Sequence, residues 1–507
     1  MKVLLIHPFR NDIGALESDE FMPSLAVLCL AASLRESGHQ PIILDLAVKS
    51  TLEQEDPGQY CLDKIVDVLK KEKPPLVAIS FLFSGTFPVA LQYAKLIKKT
   101  LPDCKIITGG IHATSFPKEI LSNCHEFDFI GISEGETTIV EIANRVENKN
   151  YNNLEEIRGF AFRDEKGEVH VNTNRLLENF EGLPMPAWDM IDLTEYEKPR
   201  PEFFSPKGFE VKNIIPIIST RGCPYKCTFC DLHLIQGRKM RRRGPLKFVD
   251  ELEYLHKERG MNYFAFQDDN LVRDRRHIIA VCEEIVKRKI NIQFETASGL
   301  HINSLTEEVI EHMVRAGMVY AAISVEHGNT YMRNEVMQKL TDEETIYRAV
   351  EMIRKYKVLI RGNWIMGYPE ETNETLQDTY DMIEGLKIDR AAVLKLIPYP
   401  GTPVFNQCVK EDLFVNKVDI DNIWLRPVQP HQNEFVIKPY RMSLDELEEW
   451  RGKFSLLRNK YFGYFHRDLS PPRGFVRNEE GIVIPGGVLR PENSNKDVSK
   501  FAFDNVF

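Results

Sequence analysis

Cys223-Pro224-Tyr225-Lys226-Cys227-Thr228-Phe229-Cys230 is the stretch on which the fold and chemistry of this chain turn. Its three thiols stand in the spacing C-x3-C-x2-C. An apolar, β-branched run from Ile214 to Thr220 precedes them and predicts a strand, which Arg221-Gly222 breaks into a loop. Thiolates are soft ligands that select zinc, copper(I) or iron–sulfur clusters. Three of them on one short loop can hold three irons of a cubane cluster and leave the fourth iron open. A structural zinc site wants four ligands and no open position. His233, three residues past Cys230, is the fourth ligand of that alternative.

On either side of this loop, from about residue 206 to 405, strands and helices alternate. Strands are predicted at 214–220, 263–267, 292–296, 319–325, 359–366 and 392–397, with amphipathic helices between them. In the helix predicted over 343–355, for example, Ile346, Ala349, Val350 and Ile353 fall on one face. Six βα units predict an incomplete barrel of the TIM kind, with its site at the carboxyl ends of the strands. A zinc ribbon predicts no such alternation. Candidates stand at those ends. After the second strand comes Gln267-Asp268-Asp269-Asn270, whose adjacent carboxylates suit an ammonium or a ribose, or else an N-cap and a solvated turn. The third strand carries Glu295, and the fourth ends in Ser324, Glu326 and His327.

Residues 1 to 145 read as a separate parallel α/β unit, a doubly wound, Rossmann-like sheet. Strands are predicted at 3–6, 41–46, 76–81, 105–108 and 127–132, with helices at 24–37 and 88–100. Ligands of such sheets bind at the strand carboxyl ends. Gly109-Gly110, Gly131 and Gly135 stand there, where a missing side chain lets backbone approach a bulky ligand. No G-x-G-x-x-G follows the first strand, so a nicotinamide site is not indicated. Residues 146–205 form a connector, with a β-hairpin around Asp164-Glu165-Lys166-Gly167 and a proline-stiffened link at Leu183-Pro184-Met185-Pro186. Residues 406–507 are a small mixed C-terminal region, with a helix over 444–461. Pro471-Pro472-Arg473-Gly474 and Pro485-Gly486-Gly487 make irregular structure from about Ser470 onward.

Composition narrows the function classes. Hydrophobic residues make up 43% and charged residues 28% of the 507, a globular profile. The net charge of -10 argues against nucleic acid, even though Arg238 to Arg243 is a dense basic run. Nine cysteines scattered over this length are not a disulfide framework. No signal peptide and no membrane span are expected, because the longest apolar run, Met22 to Leu34, is too short and holds Pro23 and Ser24. A reducing cytoplasm is the expected compartment.

The cysteine loop resembles the signature of the radical S-adenosylmethionine (radical SAM) enzymes, C-x3-C-x-aromatic-C, in Cys223, Cys227, Phe229 and Cys230. Gly109-Gly110-Ile111-His112-Ala113-Thr114 and Gly131-Ile132-Ser133-Glu134-Gly135-Glu136-Thr137 are similar to the strand ends of the cobalamin-binding domain fused to many of those enzymes. The resemblance covers residues 1 to about 405. It implies a 4Fe–4S cluster on Cys223, Cys227 and Cys230, with S-adenosylmethionine on the open iron. It further implies that Phe229 and Gly367 lie by the adenine, and that Asp268, Asp269, Asn270, Glu295, Ser324, Glu326 and Arg243 hold the rest of that molecule or a cofactor carboxylate. Arg241 is the alternative to Arg243. For cobalamin it implies Ser84, Gly109, Gly110, His112, Gly135 and Glu136. The D-x-H-x-x-G motif that supplies a lower histidine ligand to cobalt is absent, so base-off binding is expected.

The expected function is that of the class B methylases of this group. In that family a 5′-deoxyadenosyl radical takes hydrogen from an unactivated carbon, and methyl then arrives from methylcobalamin. A cyclase, ring-contracting or oxidising enzyme with the same cofactors is the alternative, and a non-catalytic cobalamin or redox sensor is a third. The expected partners are a small-molecule, lipid or natural-product substrate and a flavodoxin- or ferredoxin-type electron donor.

Overall fold

The computed structural model describes residues 1–9, 22–81, 84–175, 179–197, 211, 213–415, 434–465 and 475–485. The two proline- and glycine-rich segments expected to be irregular lie outside these, apart from Pro485.

The N-terminal half is built on seven strands: β1 (Lys2–His7), β2 (Gln40–Asp45), β3 (Leu76–Ser80), β4 (Lys105–Gly109), β5 (Phe129–Gly131), β6 (Phe160–Arg163) and β7 (Val169–Val171). They lie in the order β2-β1-β3-β4-β5-β6-β7. The first five are parallel, and β6 and β7 add antiparallel. The hairpin of the connector is therefore part of the first sheet, and only the segment after it links the two halves. β1 shows why the sheet is buried on both faces: Leu4 and Ile6 enter one core, Val3 and Leu5 the other. The helix Leu25–Glu36 starts at Ser24, whose hydroxyl accepts from the Val27 amide. A helix not anticipated from the sequence, Pro57–Glu72, is capped by Asp56 and buries Cys61, Ile65 and Leu69, spaced four apart on one face.

β8 (Ile215–Ile217) opens the second half and leads into a short antiparallel ladder of β9 (Thr220–Arg221) with β10 (Arg241–Arg242). Then come β11 (Tyr263–Phe266), β12 (Gln293–Leu300), β13 (Met318–Glu326), β14 (Leu359–Met366) and β15 (Arg390–Lys395). The six strands β8 and β11 to β15 form one parallel sheet in the order β15-β14-β13-β12-β11-β8, so β8 and β15 are its ends. Helices cover the outer face. Ala321, Ile323 and Val325 of β13 pack outward against them. By alternation Ala322, Ser324 and Glu326 face the lumen. The lumen floor is apolar, with Tyr263, Ala265, Tyr320, Leu359 and Phe462 in contact. No helix among the described residues is long and apolar enough to cross a membrane.

At the carboxyl end of β1, His7 Nδ1 lies 2.9 Å from Asp45 Oδ1 at the end of β2, and the Tyr196 hydroxyl donates to Asp45 Oδ2 at 2.6 Å. Burial alone would lower the His7 pKa, but the charge and hydrogen bond of Asp45 outweigh it and hold it above the ordinary 6.5. A raised folded-state value means that the ion pair stabilises fully below pH 6.5 and fades as pH rises through the folded value. His7→Gln should therefore cost about 1 kcal/mol at pH 6 and much less at pH 9. Paired melting curves at the two pH values check this, and a gap that widens with pH contradicts it.

Candidate functional site

The cysteine loop is an excursion from the β9/β10 neck. Gly222 turns it at φ +92, and a Cβ there would stand 2.5 Å from the Lys239 carbonyl oxygen. Only glycine fits. The Gly222 amide donates to Asp269 Oδ2 at 2.7 Å, which ties the loop to the end of β11. Cys223, Cys227 and Cys230 are all partly exposed. Burial pushes the Cys227 thiol up to about 11 and the Cys230 thiol up to about 12. Asn270 Nδ2 lies 3.7 Å from Cys223 Sγ. Phe229 packs at the edge of a core that includes Tyr368 and Leu396, residues just beyond β14 and β15.

The strand-end acids stand around this loop. Asp268 Oδ1 accepts from the amides and hydroxyls of both Ser219 and Thr220, at 2.6 to 3.1 Å, while its buried Oδ2 has no partner among the described residues. Burial raises Asp268 to about 6 and Asp269 to about 7. Glu295 on β12 is buried and accepts from the Tyr263 hydroxyl at 3.0 Å. Ser324 is admitted by Gly299, where a Cβ would meet its Oγ at 2.2 Å. Glu326 ends β13 at φ +71, a left-handed conformation rare for a residue with a side chain. Its Oε1 accepts from Lys339 Nζ at 2.8 Å, and both groups are buried. Burial alone would lower Lys339, but Glu326 and the thiols of Cys227 and Cys223 hold it above the ordinary lysine value. Behind this pair, the Asn329 amide donates to His327 Nδ1, so Nε2 carries the proton that faces Glu371 Oε1 at 3.1 Å. Glu371 Oε2 accepts the Gly367 amide at 3.2 Å, which joins the ends of β13 and β14. Deeper in the lumen, the Arg361 guanidinium donates to the Ala297 carbonyl at 2.8 Å, and its buried Nε has no partner among the described residues.

At the strand ends of the first sheet, Gly109 and Gly131 lie back to back, and a Cβ on Gly109 would meet the Gly131 carbonyl oxygen at 3.4 Å. Gly110 caps the short helix that follows at φ +111. Ser84 is buried, and its Oγ has no partner among the described residues. Gly135 precedes the helix Glu136–Glu147. The loop carrying it meets the cysteine-loop neck. Arg221 donates to Glu134 at 3.1 Å and to Glu136 at 2.6 Å, and Arg241 donates to Glu134 at 2.6 Å.

Four residues stand elsewhere than expected. Arg243 pairs with the buried Glu251 on the outer helix Pro245–Lys257, with its guanidinium 6.0 Å from the Phe180 ring, while its Nε and Nη2 have no partner among the described residues. Glu251 in turn accepts from Trp188 Nε1. Arg241, the alternative to Arg243, reaches Glu134 of the first sheet. Glu136 spends its carboxylate on Arg221. His112 is fully buried, its ring 4.8 Å from Phe87 and 5.3 Å from Phe116. Lys339, Glu371, Glu134 and Arg221 were not anticipated from sequence. The one readable sign was Arg221 directly before the cysteine loop.

The donor sets fit the expected groups. A single zinc at about 2.3 Å would draw its thiolates to about 3.8 Å from one another. Among the described residues, the group of three metal-ligand side chains gathered within 4.8 Å is Asp164, Glu168 and His170, not the cysteines. Wider-set thiolates suit a cluster, with each on its own iron. The orphaned Ser84 hydroxyl and the bare glycine cradle suit a large, polar-edged ligand over the first sheet.

Two family models match the chain: the B12 binding domain over residues 12–143 and the Radical SAM superfamily over residues 217–383. An uncharacterized methyltransferase of Pyrococcus horikoshii is 26% identical over 416 residues, covering 82% of this chain and 84% of that one. The anaerobic magnesium-protoporphyrin IX monomethyl ester cyclase of Cereibacter sphaeroides is 26% identical over 411 residues, 80% of this chain and 63% of that one. The radical S-adenosylmethionine methyltransferase TsrM of Kitasatospora setae, solved with cobalamin and a [4Fe-4S] cluster, superposes at a TM-score of 0.64 with 18% identity, over 87% of this chain and 83% of that one. A B12-binding domain followed by a radical SAM domain, on a fold shared with a solved example, makes this chain a member of the cobalamin-dependent radical SAM enzymes.

Proposed function

We propose that this enzyme methylates an unactivated carbon of a small organic substrate held in the lumen of the second sheet. The observation that carries the reading is the docking of the Ser133–Glu136 loop, at the expected cobalamin site, onto the neck of the cysteine loop. That contact sets the loop after β5 beside the cysteine loop, which supports two cofactors serving one substrate. When bound, the cluster with S-adenosylmethionine supplies hydrogen abstraction, and cobalamin supplies the methyl group.

Within this proposal each residue has a local task. Cys223, Cys227 and Cys230 hold the cluster, and Asn270 donates to the Cys223 sulfur. Asp268 and Asp269 take the amine of S-adenosylmethionine, Ser324 and Glu326 its ribose, and Phe229 and the Gly367 backbone its adenine. Glu295 and Arg361 line the lumen beneath, and the unpaired Arg361 Nε suits an anionic substrate group. Ser84, Gly109, Gly110 and Gly135 cradle cobalamin. Reducing equivalents come from a flavodoxin- or ferredoxin-type protein. Ring closure or oxidation is the second reading, favoured by the likeness to the cyclase of Cereibacter sphaeroides.

Anaerobic turnover of a small-molecule extract with methyl-labelled S-adenosylmethionine separates the two. Label on a new carbon–methyl group supports methyl transfer. Product formed together with 5′-deoxyadenosine but without label overturns it in favour of the second reading. The protein should also retain about one hydroxocobalamin per chain, in the base-off form, because the His112 imidazole is enclosed by phenylalanines. A base-on absorption or EPR spectrum would contradict that.

A further inference from the structure

Glu134 and Glu136 of the B12-binding domain and Arg221 and Arg241 of the radical SAM domain form one buried ionic network. Three of them are nearly closed to solvent: Glu134 is 6%, Glu136 5% and Arg221 8% exposed. The Arg241 side chain is 9% exposed. Arg221 bridges the two glutamates at 3.1 and 2.6 Å, and Arg241 adds a second contact to Glu134 at 2.6 Å. The two arginines face each other across the β9/β10 ladder. The Phe180 ring lies 4.6 Å under the Arg221 guanidinium and closes the network from the connector side.

The location gives this network its meaning. Arg221 is two residues from Cys223, with Gly222 between them held by Asp269. Glu134 and Glu136 flank Gly135 on the loop that follows β5. Charges taken out of water are stable only while every partner stays in place. Order in one loop is therefore felt in the other. We propose that this network couples occupancy of the B12-binding domain to the order of the cysteine loop, with Arg221 as the positioning residue. The proposal rests on the cofactor reading of the first sheet. Coupling of this kind is reciprocal: a ligand that orders the 131–136 loop orders residues 222–240, and a loaded cluster loop strengthens binding at the first sheet.

Hydrogen–deuterium exchange on the full chain tests it, with hydroxocobalamin as the probe. Saturating hydroxocobalamin should slow exchange across 222–240 by about tenfold, within the range common for coupled sites. In Glu134→Gln/Arg241→Met a whole pair is removed and no buried charge is stranded, because Arg221 keeps Glu136. This variant should still bind hydroxocobalamin, and the slowing at 222–240 should fall below about twofold. Arg242→Met, on the same ladder but paired outward to Asp274, should keep the full slowing. The proposal is overturned if wild-type exchange at 222–240 ignores bound hydroxocobalamin, if the double variant keeps the slowing, or if Arg242→Met loses it as well. Wild-type protein without the absorbance of a bound corrinoid would remove the cofactor reading itself, and the coupling with it.

Discussion

Changing Cys223, Cys227 and Cys230 together to Ala should take iron from about four atoms per chain to background and abolish 5′-deoxyadenosine formation, while the chain stays folded. The three thiols sit half-exposed on a loop and belong to none of the apolar cores. Their loss leaves no cavity, so the melting temperature should move little. Five of the other six cysteines differ in kind: Cys61, Cys104, Cys124, Cys282 and Cys408 are buried small hydrophobes, and replacing them should leave iron content unchanged. Iron and sulfide assay after anaerobic reconstitution, read beside 5′-deoxyadenosine by chromatography, checks both halves. A triple variant that keeps its cluster, or wild type that fills the loop with one zinc per chain, would contradict the assignment.

Glu326→Gln is expected to strike stability and cofactor binding together. Lys339 Nζ donates to Glu326 Oε1 at 2.8 Å with both groups buried, so the single change strands a buried cation. Breaking a buried pair from one side costs about 3–5 kcal/mol. Glu326→Gln/Lys339→Met removes the pair as a unit and should recover most of that loss. If Glu326 also holds the ribose, the double variant should still bind S-adenosylmethionine about ten- to a hundred-fold more weakly, the worth of one charge-assisted hydrogen bond. Melting temperature and affinity measured on one cluster-loaded sample separate the two roles. A double variant with recovered stability and wild-type affinity would leave Glu326 only its partnership with Lys339.

The strands of both sheets were legible because apolar alternation and the glycines at their ends are local signals. Leu359–Met366 fell where the pattern put it, and Gly109 and Gly222 stand where backbone must approach or turn. The helix Pro57–Glu72 was missed, although Asp56-Pro57 is a start signal and Cys61, Ile65 and Leu69 a stripe, because charges dominate the segment. What escaped was long-range pairing. Nothing local in Glu136 says that its partner is Arg221, or in Arg243 that its partner is Glu251. A motif marks where a side chain hangs, not which opposite charge the fold brings to meet it. His112 shows the same limit, since Phe81 and Phe87, distant in sequence, converge on its ring beside the neighbouring Phe116.

The hairpin of β6 and β7 has a consequence for how such proteins are recombined. β5 is only three residues long and carries a partner on each side, β4 and β6. A crossover placed between the helix Glu136–Glu147 and the hairpin would hand β6 and β7 to the wrong parent and leave a bare sheet edge, open to pairing with another chain. The interchangeable module therefore extends through the return strand. Shuffling at that later seam, rather than at the end of the βα pattern, is what lets one corrinoid-carrying half be exchanged for another without exposing a sticky edge.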